Sequence, residues 1–364
     1  MHTRGRVVDV TSLTDLDRRL AAGAQSMAGW RVTALDLRDH GSALSAVHVA
    51  QSLFLGCTFA AHDEESLRRR GAVVLPRLDD VPLDPYRRTL YEPYDLYNTL
   101  RYADSVDARA YAWSRLTPDQ DDALAQALHD HSIDQALAAW VPGRSIVGVM
   151  GGHALQRGSE GYAEAARLGT LLARAGLTVA TGGGPGAMEA ANLGAFLSDA
   201  PESALHAALA RVAVVPSFTP DIGDWAAAAF AVIDEHAPGV DSLGIPTWHY
   251  GHEPPNPFAT AIAKYVRNAT REAILLEVCS AGIVFLPGAG GTVQEIFQDG
   301  CENYYADESS VSPMVLVGVE HWTVTVPAWP LLSSLARGRA MEARVHLVDS
   351  MDEAVAVLGA ELSV

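Results

Sequence analysis

Two stretches of this chain pack enough glycine beside a helix start to hold an anion. The first reads Thr-Gly-Gly-Gly-Pro-Gly-Ala-Met and contains Gly182, Gly183, Gly184, Gly186 and Met188. The second reads Pro-Gly-Ala-Gly-Gly-Thr-Val-Gln-Glu and contains Gly288, Gly290, Gly291, Thr292 and Glu295. Glycine permits positive φ and puts no Cβ between backbone and ligand. A helix opening directly after such a turn presents unpaired N–H groups and a partial positive charge. Together they form a phosphate site that needs no lysine. Thr292 either adds a hydroxyl to that site or caps the helix. Glu295 shares the helix face of Thr292. It reads as a carboxylate working on a sugar beside the phosphate, or as a first-turn glutamate favoured by the dipole. Asp299 and Glu302 roughly continue that face.

Neither glycine stretch is a P-loop, which requires Gly-Lys-Ser/Thr, and neither is a dinucleotide fingerprint with its acidic residue about 20 positions on. For one such loop, a tight turn serving close helix–strand packing explains the glycines equally well. Two in one sheet favour a shared ligand. Arg267 and Arg271 read as one helical stretch ahead of the second turn, and an arginine there can grip an anion through its planar fork; for Arg267 a solvated helix arginine is the preferred reading. His249 and His252 sit too close together in His-Tyr-Gly-His for a strong metal signal and read as loop lining, and no metal site is expected. Lys264 is the only lysine. It falls in ATAIAKYVRNATREAILL, which has a helical pattern, and pyridoxal-phosphate chemistry would rest on it alone.

The elements that must position these residues alternate. RSIVGVMGG reads as a strand, EGYAEAARLGTLLARAG as an amphipathic helix closed by Gly176, and LTVATGGGPGAMEAANLGAF as strand, glycine turn and helix. VAVVP, SLGIPTW, AGIVFLP, PMVLVG and ARVHLVD read as further short strands, and MDEAVAVLGAEL as a closing helix. Strands alternating with helices predict a doubly wound α/β core with a parallel sheet, whose ligands bind at the carboxyl ends of its strands. Ahead of it, RVVDV, WRVTALDL and AVVLP read as strands and TDLDRRLAAGA as a helix of a smaller α/β unit, without an internal repeat. Tyr86, Tyr91, Tyr94 and Tyr97 form either a ligand platform or, as is commoner, half-buried packing. TPDQDDALAQALHDHSIDQALAAW reads as a helical connector. The division expected is residues 1–140, an amino-terminal α/β domain plus connector, and residues 141–364, a nucleotide-binding domain.

Composition narrows the function. Apolar residues make up 49 % of the 364 and charged ones 19 %, enough for a sizeable core. A formal net charge of −18 argues against nucleic acid or an anionic membrane as partner. A small anion can still bind through local donors, because distant charges fade beyond a Debye length of about 8 Å. Cys57, Cys279 and Cys301 form no metal or CxxC pattern and read as reduced, mostly packed thiols. No run reaches the roughly 20 apolar residues needed to span a bilayer, and the amino terminus lacks a signal-peptide pattern. A cytoplasmic protein is expected.

GGGPGAMEAANLGA followed by PGAGGTVQE resembles the Lonely Guy (LOG) family, whose members carry GGG-x-x-G-x-M and P-G-G-x-G-T-x-x-E loops. The resemblance covers about residues 144–364 and is strongest to the larger bacterial nucleotide 5′-monophosphate nucleosidases, which also have an extra amino-terminal domain. Many such proteins are mislabelled lysine decarboxylases, a label the single lysine argues against. The resemblance implies a Rossmann-like core and a phosphoribohydrolase that splits nucleoside 5′-monophosphates into free base and ribose 5-phosphate, with no cofactor. It implies Glu295 and Arg271 as the catalytic pair, with Arg267 the weaker candidate, and Gly288, Gly290, Gly291 and Thr292 as phosphate binders beside Gly182, Gly183, Gly184, Gly186 and Met188. It also implies a homodimer or larger homo-oligomer. The alternative within the same fold is a carrier that binds nucleotide or molybdenum cofactor without cleaving it. Two departures from the pattern stand out. Ala289 replaces the second glycine of P-G-G. The first strand ends in MGGHALQRGS, so His153, Gln156 and Arg157 leave the choice of base open.

Overall fold

The computed structural model describes residues 7–78, 80–249 and 253–361. The chain divides into two compact units, Met1–Arg87 with Pro118–Ser132 and Arg88–Thr117 with Ile133–Val364.

The first unit holds a four-stranded parallel sheet, β1 (Val8–Val10), β2 (Trp30–Thr33), β3 (Leu53–Leu55) and β4 (Val73–Leu75), in sequential order. Partners fall in line as Val10–Val32–Phe54–Val74. Each strand thus follows the one before by about 20 residues, the spacing of a coil-by-coil repeat. Each coil joins a strand of three or four residues to a helix of varying length, Leu13–Ala21, Gly41–Ser45 and Asp63–Arg69, so the sequence shows no fixed repeated motif. The coils stack Leu16, Met27, Leu37, Phe54 and Leu67 into one core.

The second unit holds a seven-stranded, wholly parallel sheet. Its strands are β5 (Ile146–Met150), β6 (Thr178–Thr181), β7 (Leu243–Gly244), β8 (Ala261–Ile262), β9 (Ile283–Phe285), β10 (Met314–Val317) and β11 (Val345–Val348), in the order β11-β10-β9-β5-β6-β7-β8. β5 is buried along its whole length, which is why its sequence is a continuous apolar run rather than an alternation. The chain winds outward from β5 to β8, returns to β9 on the other side of β5, and winds outward again. The reversal lies between β5 and β9, and the crevice outside their carboxyl ends is where such sheets bind ligands.

The helices form two groups. Glu160–Arg174, Ala187–Phe196 and Met351–Glu361 pack together, and Asn268–Glu277, Gly290–Tyr305 and Trp329–Ala336 pack together. With right-handed crossovers, the reversal sends the two groups to opposite faces. Ser159 accepts from the Tyr162 amide at the start of the first helix, and Gly176, at φ +83, follows its end. A Cβ at Gly194 would come within 1.8 Å of the Ala166 carbonyl oxygen, so glycine there lets two helix backbones touch.

Two sequence readings are corrected. VAVVP is not a strand: Val212 ends the Glu202–Val212 helix, and the Pro216 carbonyl accepts from the Arg157 amide at 3.1 Å. ATAIAKYVRNATREAILL is not one helix. Ala261–Ile262 is β8, whose Ile262 exchanges backbone bonds of 2.8 and 2.9 Å with Tyr91, and the helix starts only at Asn268. Arg267 is therefore the extended residue ahead of that helix, at φ −93 and ψ 114, and is exposed. The four tyrosines pack. Tyr86 donates to the Pro76 carbonyl, Tyr91 meets Trp248 edge-on, and Tyr94 and Tyr97 lie against Phe230. No helix among the described residues is long and apolar enough to cross a membrane.

Candidate functional site

Three loops meet at the carboxyl end of the second unit's sheet, one each after β5, β6 and β9. Gly151 follows β5 at φ +96, and a Cβ on it would stand 2.5 Å from the Leu286 carbonyl oxygen and 3.3 Å from Thr292 Cγ2. Gly152 similarly abuts Ala187, and Gly186 abuts the carbonyls of Gly152 and His153. The loops are backbone against backbone, which only glycine allows.

The two glycine stretches differ in what surrounds them. Gly182, Gly183, Gly184 and Gly186 are buried. The Gly183 carbonyl accepts from the Asn256 amide at 2.8 Å, the Gly184 carbonyl from Asn256 Nδ2 at 3.2 Å, and the Gly183 N–H donates to Thr181 Oγ1 at 3.0 Å. Asn192, bonded to Thr181, Ser242 and Asn256, ties this network together. Met188 is half-buried, its sulfur against Gly182. Close packing accounts for Gly183, at φ +72 against Pro246, and for Gly186, at φ +77 against the Gly152 and His153 carbonyls. By contrast, Gly290 and Gly291 are exposed, and a Cβ on either would meet nothing within 4 Å. They open the helix Gly290–Tyr305, so no side chain covers its first amides, which lie before the first intrahelical bond, beside Gly288. Ala289, at φ −122 and ψ −145, precedes the helix without strain. Thr292 is buried inside the first turn rather than capping it, and it sits so close to Gly288 that a Cβ there would lie 2.2 Å from its hydroxyl oxygen.

Glu295 is half-buried one turn into that helix. Burial pushes its carboxyl up to about 7, the Arg271 guanidinium pulls the other way, and Glu272 adds to the rise. Arg271 reaches across the sheet end: its Nε donates to the Ile245 carbonyl at 2.8 Å and its Nη2 to the Gly182 carbonyl at 3.4 Å. Glu272 accepts from Asn268 at 2.7 Å and from Gln294 at 2.6 Å, pinning the two helices that carry Arg271 and Glu295. A carboxyl poised near neutrality beside a guanidinium suits an acid–base role. Asp299 is buried and Glu302 exposed, so the expected carboxylate stripe diverges. Burial pushes Asp299 up to about 8.

His321 joins the site without any sequence signal. It lies in the helical turn after β10, and its Nε2 stands 2.9 Å from the Gly288 carbonyl oxygen and 3.2 Å from the Gly288 nitrogen. The altered loop after β5 lines a cavity of about 250 Å³ together with Pro185, Ser217 and Phe218; His153 and Gln156 face it exposed. Arg157 lies almost wholly buried in an ion pair with Glu189, donates to the Trp225 carbonyl at 2.9 Å and stacks on the Trp225 ring. Its fork is therefore engaged by the protein. Lys264 is 1 % exposed and bonds Asp107 at 2.7 Å, with Trp248 donating to the same carboxylate oxygen. Burial lowers its pKa and Asp107 opposes the fall. His252 lies outside the described residues; among them no cluster of three or more His, Cys, Asp or Glu is placed to hold a metal ion.

Residues 144–200 match the SLOG cluster4 family. That span holds β5, β6 and the first glycine loop and stops well before Glu295. None of the curated proteins matches the chain. Among solved structures, the chain is similar to the molybdenum cofactor binding protein of Rippkaea orientalis, at 16 % identity and a TM-score of 0.39, over 61 % of this chain and 99 % of that one. It is also similar to the molybdenum cofactor carrier protein of Chlamydomonas reinhardtii, at 18 % identity and a TM-score of 0.38, over 61 % and 99 %. Both are likenesses of fold.

Proposed function

We propose that residues 141–364 hydrolyse the N-glycosidic bond of nucleoside 5′-monophosphates, releasing free base and ribose 5-phosphate. One observation carries the reading: a half-buried carboxyl held near neutrality, Glu295, stands beside Arg271 on the helix whose first amides are bare at Gly290 and Gly291. The phosphate sits on the turn from Gly288 to Thr292 and holds the ribose over Glu295. Breakage of the C1′–N bond sends the electron pair to the base and builds positive charge on the sugar, as in glycoside hydrolysis. Ionised Glu295 stabilises that charge and takes a proton from the attacking water as the new C1′–O bond forms; the departing base takes a proton from solvent, and Glu295 returns its own to solvent, so that water is divided between sugar and base. Arg271 binds the phosphate or holds Glu295 in place.

Incubation with AMP, GMP, CMP and UMP, followed by chromatography for free base, tests this. Glu295→Gln is expected to bind nucleotide while losing about 10²-fold or more in turnover, the scale of a general acid–base group. Near wild-type base release by that variant overturns the assignment of Glu295. Nucleotide binding without base release by the wild-type protein replaces hydrolysis with the carrier reading. The same proposal includes a homodimer or larger homo-oligomer, checked by light scattering.

A further inference from the structure

We propose that His321 makes the Gly288 turn selective for ligands that carry a phosphomonoester. The inference rests on the phosphate placement proposed above and names the side chain that controls it. One ring nitrogen, Nε2, lies within hydrogen-bond reach of both the carbonyl oxygen and the nitrogen of Gly288, at 2.9 and 3.2 Å. An imidazole nitrogen has a single in-plane site, a lone pair or a hydrogen, so it serves one of the two at a time. Without a hydrogen, Nε2 accepts from the Gly288 N–H and removes that donor from the turn. With a hydrogen, Nε2 donates to the Gly288 carbonyl and no longer accepts from the N–H, which is left for another acceptor. A phosphate oxygen that takes the N–H therefore selects the Nε2–H form, and that form in turn braces the peptide that binds the phosphate.

The ring is held for this task. Trp322 packs edge-on against it at 4.6 Å and 89°. Gly318, at φ +99, lets the segment that carries His321 run close to Pro287: a Cβ there would lie 3.4 Å from Pro287 Cγ and 3.6 Å from His321 Cβ. The sole lysine is buried on Asp107 and contributes no donor here. A bare nucleoside offers the turn only a neutral hydroxyl, a weaker acceptor than a phosphate oxygen, so it shifts the ring between its two arrangements far less.

The test compares wild type, His321→Ala and His321→Gln. The amide nitrogen of glutamine reaches the position of Nε2 and always carries hydrogens, so it fixes the donor arrangement. Affinities for inorganic phosphate and ribose 5-phosphate, with ribose as control, are measured beside KM and kcat for the preferred 5′-monophosphate. His321→Ala is expected to weaken phosphate and ribose 5-phosphate binding and raise KM by about 2- to 10-fold, the worth of one hydrogen bond, with kcat changed less than about twofold. His321→Gln is expected to restore the affinities. A structural role alone predicts instead that both variants lose kcat and stability together. Wild-type affinity in His321→Ala, or no rescue by His321→Gln, overturns the inference and leaves the proposed hydrolysis standing. Phosphate binding that depends on His321 without base release upholds the inference and overturns the hydrolysis. Absence of phosphate binding in the wild type overturns both.

Discussion

Glu295→Gln should make the protein more stable at pH 8 and leave it unchanged at pH 4. The carboxyl of Glu295 is raised from 4.5 to about 7, chiefly by burial. Between those values the folded chain keeps a proton that the unfolded chain has lost. With ν the number of bound protons, stability changes with pH as ν of the unfolded state minus ν of the folded state, here a negative quantity. Stability therefore falls as pH rises from about 4.5 to about 7 and is level on either side. The full shift, at 1.36 kcal/mol per pH unit, sets a ceiling of about 3 kcal/mol. Glu295 is half-buried, so screening by solvent reduces this to about 1–2 kcal/mol. Glutamine mimics the neutral acid and never ionises, so it escapes the cost.

Thermal unfolding of both proteins across pH 4–8 reads the effect. A gain of about 1–2 kcal/mol corresponds to a Tm raised by roughly 2–4 °C per kcal/mol for a domain of this size class. The offset should open between pH 4.5 and 7 and stay constant above. A constant offset from pH 4 to pH 8 would refute the reasoning, because it would mean that the carboxyl ionises in the folded state at its ordinary pH and pays no penalty for burial. A reversed offset at pH 8 would mean that Arg271 outweighs burial. The same window governs activity: if ionised Glu295 is the working form, kcat/KM rises through about pH 7 along the limb on which stability falls.

Four further outcomes follow from the same geometry. Gly291→Ala should raise stability by about 0.5–1 kcal/mol, since the site is helical and open, while raising KM for a 5′-monophosphate about tenfold as the methyl covers the amides; paired Tm and steady-state measurements check both. Gly186→Ala should instead destabilise by several kcal/mol or prevent folding, because φ is +77 and the Cβ would stand 2.4 Å from the Gly152 carbonyl oxygen; denaturant unfolding decides. Lys264→Met should cost about 3–5 kcal/mol by leaving Asp107 buried without its cation, with the residual folded fraction still active per molecule, read by active-site titration against unfolding curves. Raising salt from 0.05 to 0.5 M should weaken nucleotide binding less than about threefold, since main-chain dipoles rather than a field of lysines hold the phosphate; a steep loss by calorimetry would point to an ion-paired site.

How much was legible depended on whether the signal was local. β5, β6, β9 and β10 are apolar runs of the length and composition of buried parallel strands, and the glycines after β6 and β9 mark the turns that close them. The doubly wound core followed from that pattern. β8 was hidden because Ala-Thr-Ala-Ile-Ala-Lys has alanine spacing that suits a helix, and only its neighbour β7 and the bridge to Tyr91 hold it extended. VAVVP misled in the opposite way: valines signal strand, but no strand stands beside them to pair with. The coil repeat of the first unit was invisible because strands of three or four residues alternate with helices of unequal length, which leaves no fixed period for the sequence to display. At the site, Glu295 and Thr292 were placed by helical spacing alone, whereas the different surroundings of the two glycine stretches needed packing to appear. Nothing near His321 in sequence marks it, since its ring nitrogen meets a backbone turn carried by another strand.

The charge balance at the turn explains why these particular groups occur together. A phosphate dianion and an ionised Glu295 on one short helix segment would repel in a chain already carrying −18. Long-range attraction is therefore closed to this site, and every compensating charge must be local. The helix start offers about half a positive charge, and Arg271 a full one. Arg271 is committed by its Nε to Ile245, so it is fixed in place rather than free to follow the ligand. The remaining imbalance tells on the carboxyl: with its titration lifted to about 7, part of the Glu295 population is neutral at pH 7 and does not repel the approaching dianion, while the ionised part is favoured as positive charge develops on the ribose. A carboxyl with an ordinary pKa would oppose binding throughout. The burial that costs the fold stability at neutral pH is thus the same feature that softens the repulsion between Glu295 and the phosphate while leaving an ionised fraction to stabilise the sugar cation in the transition state.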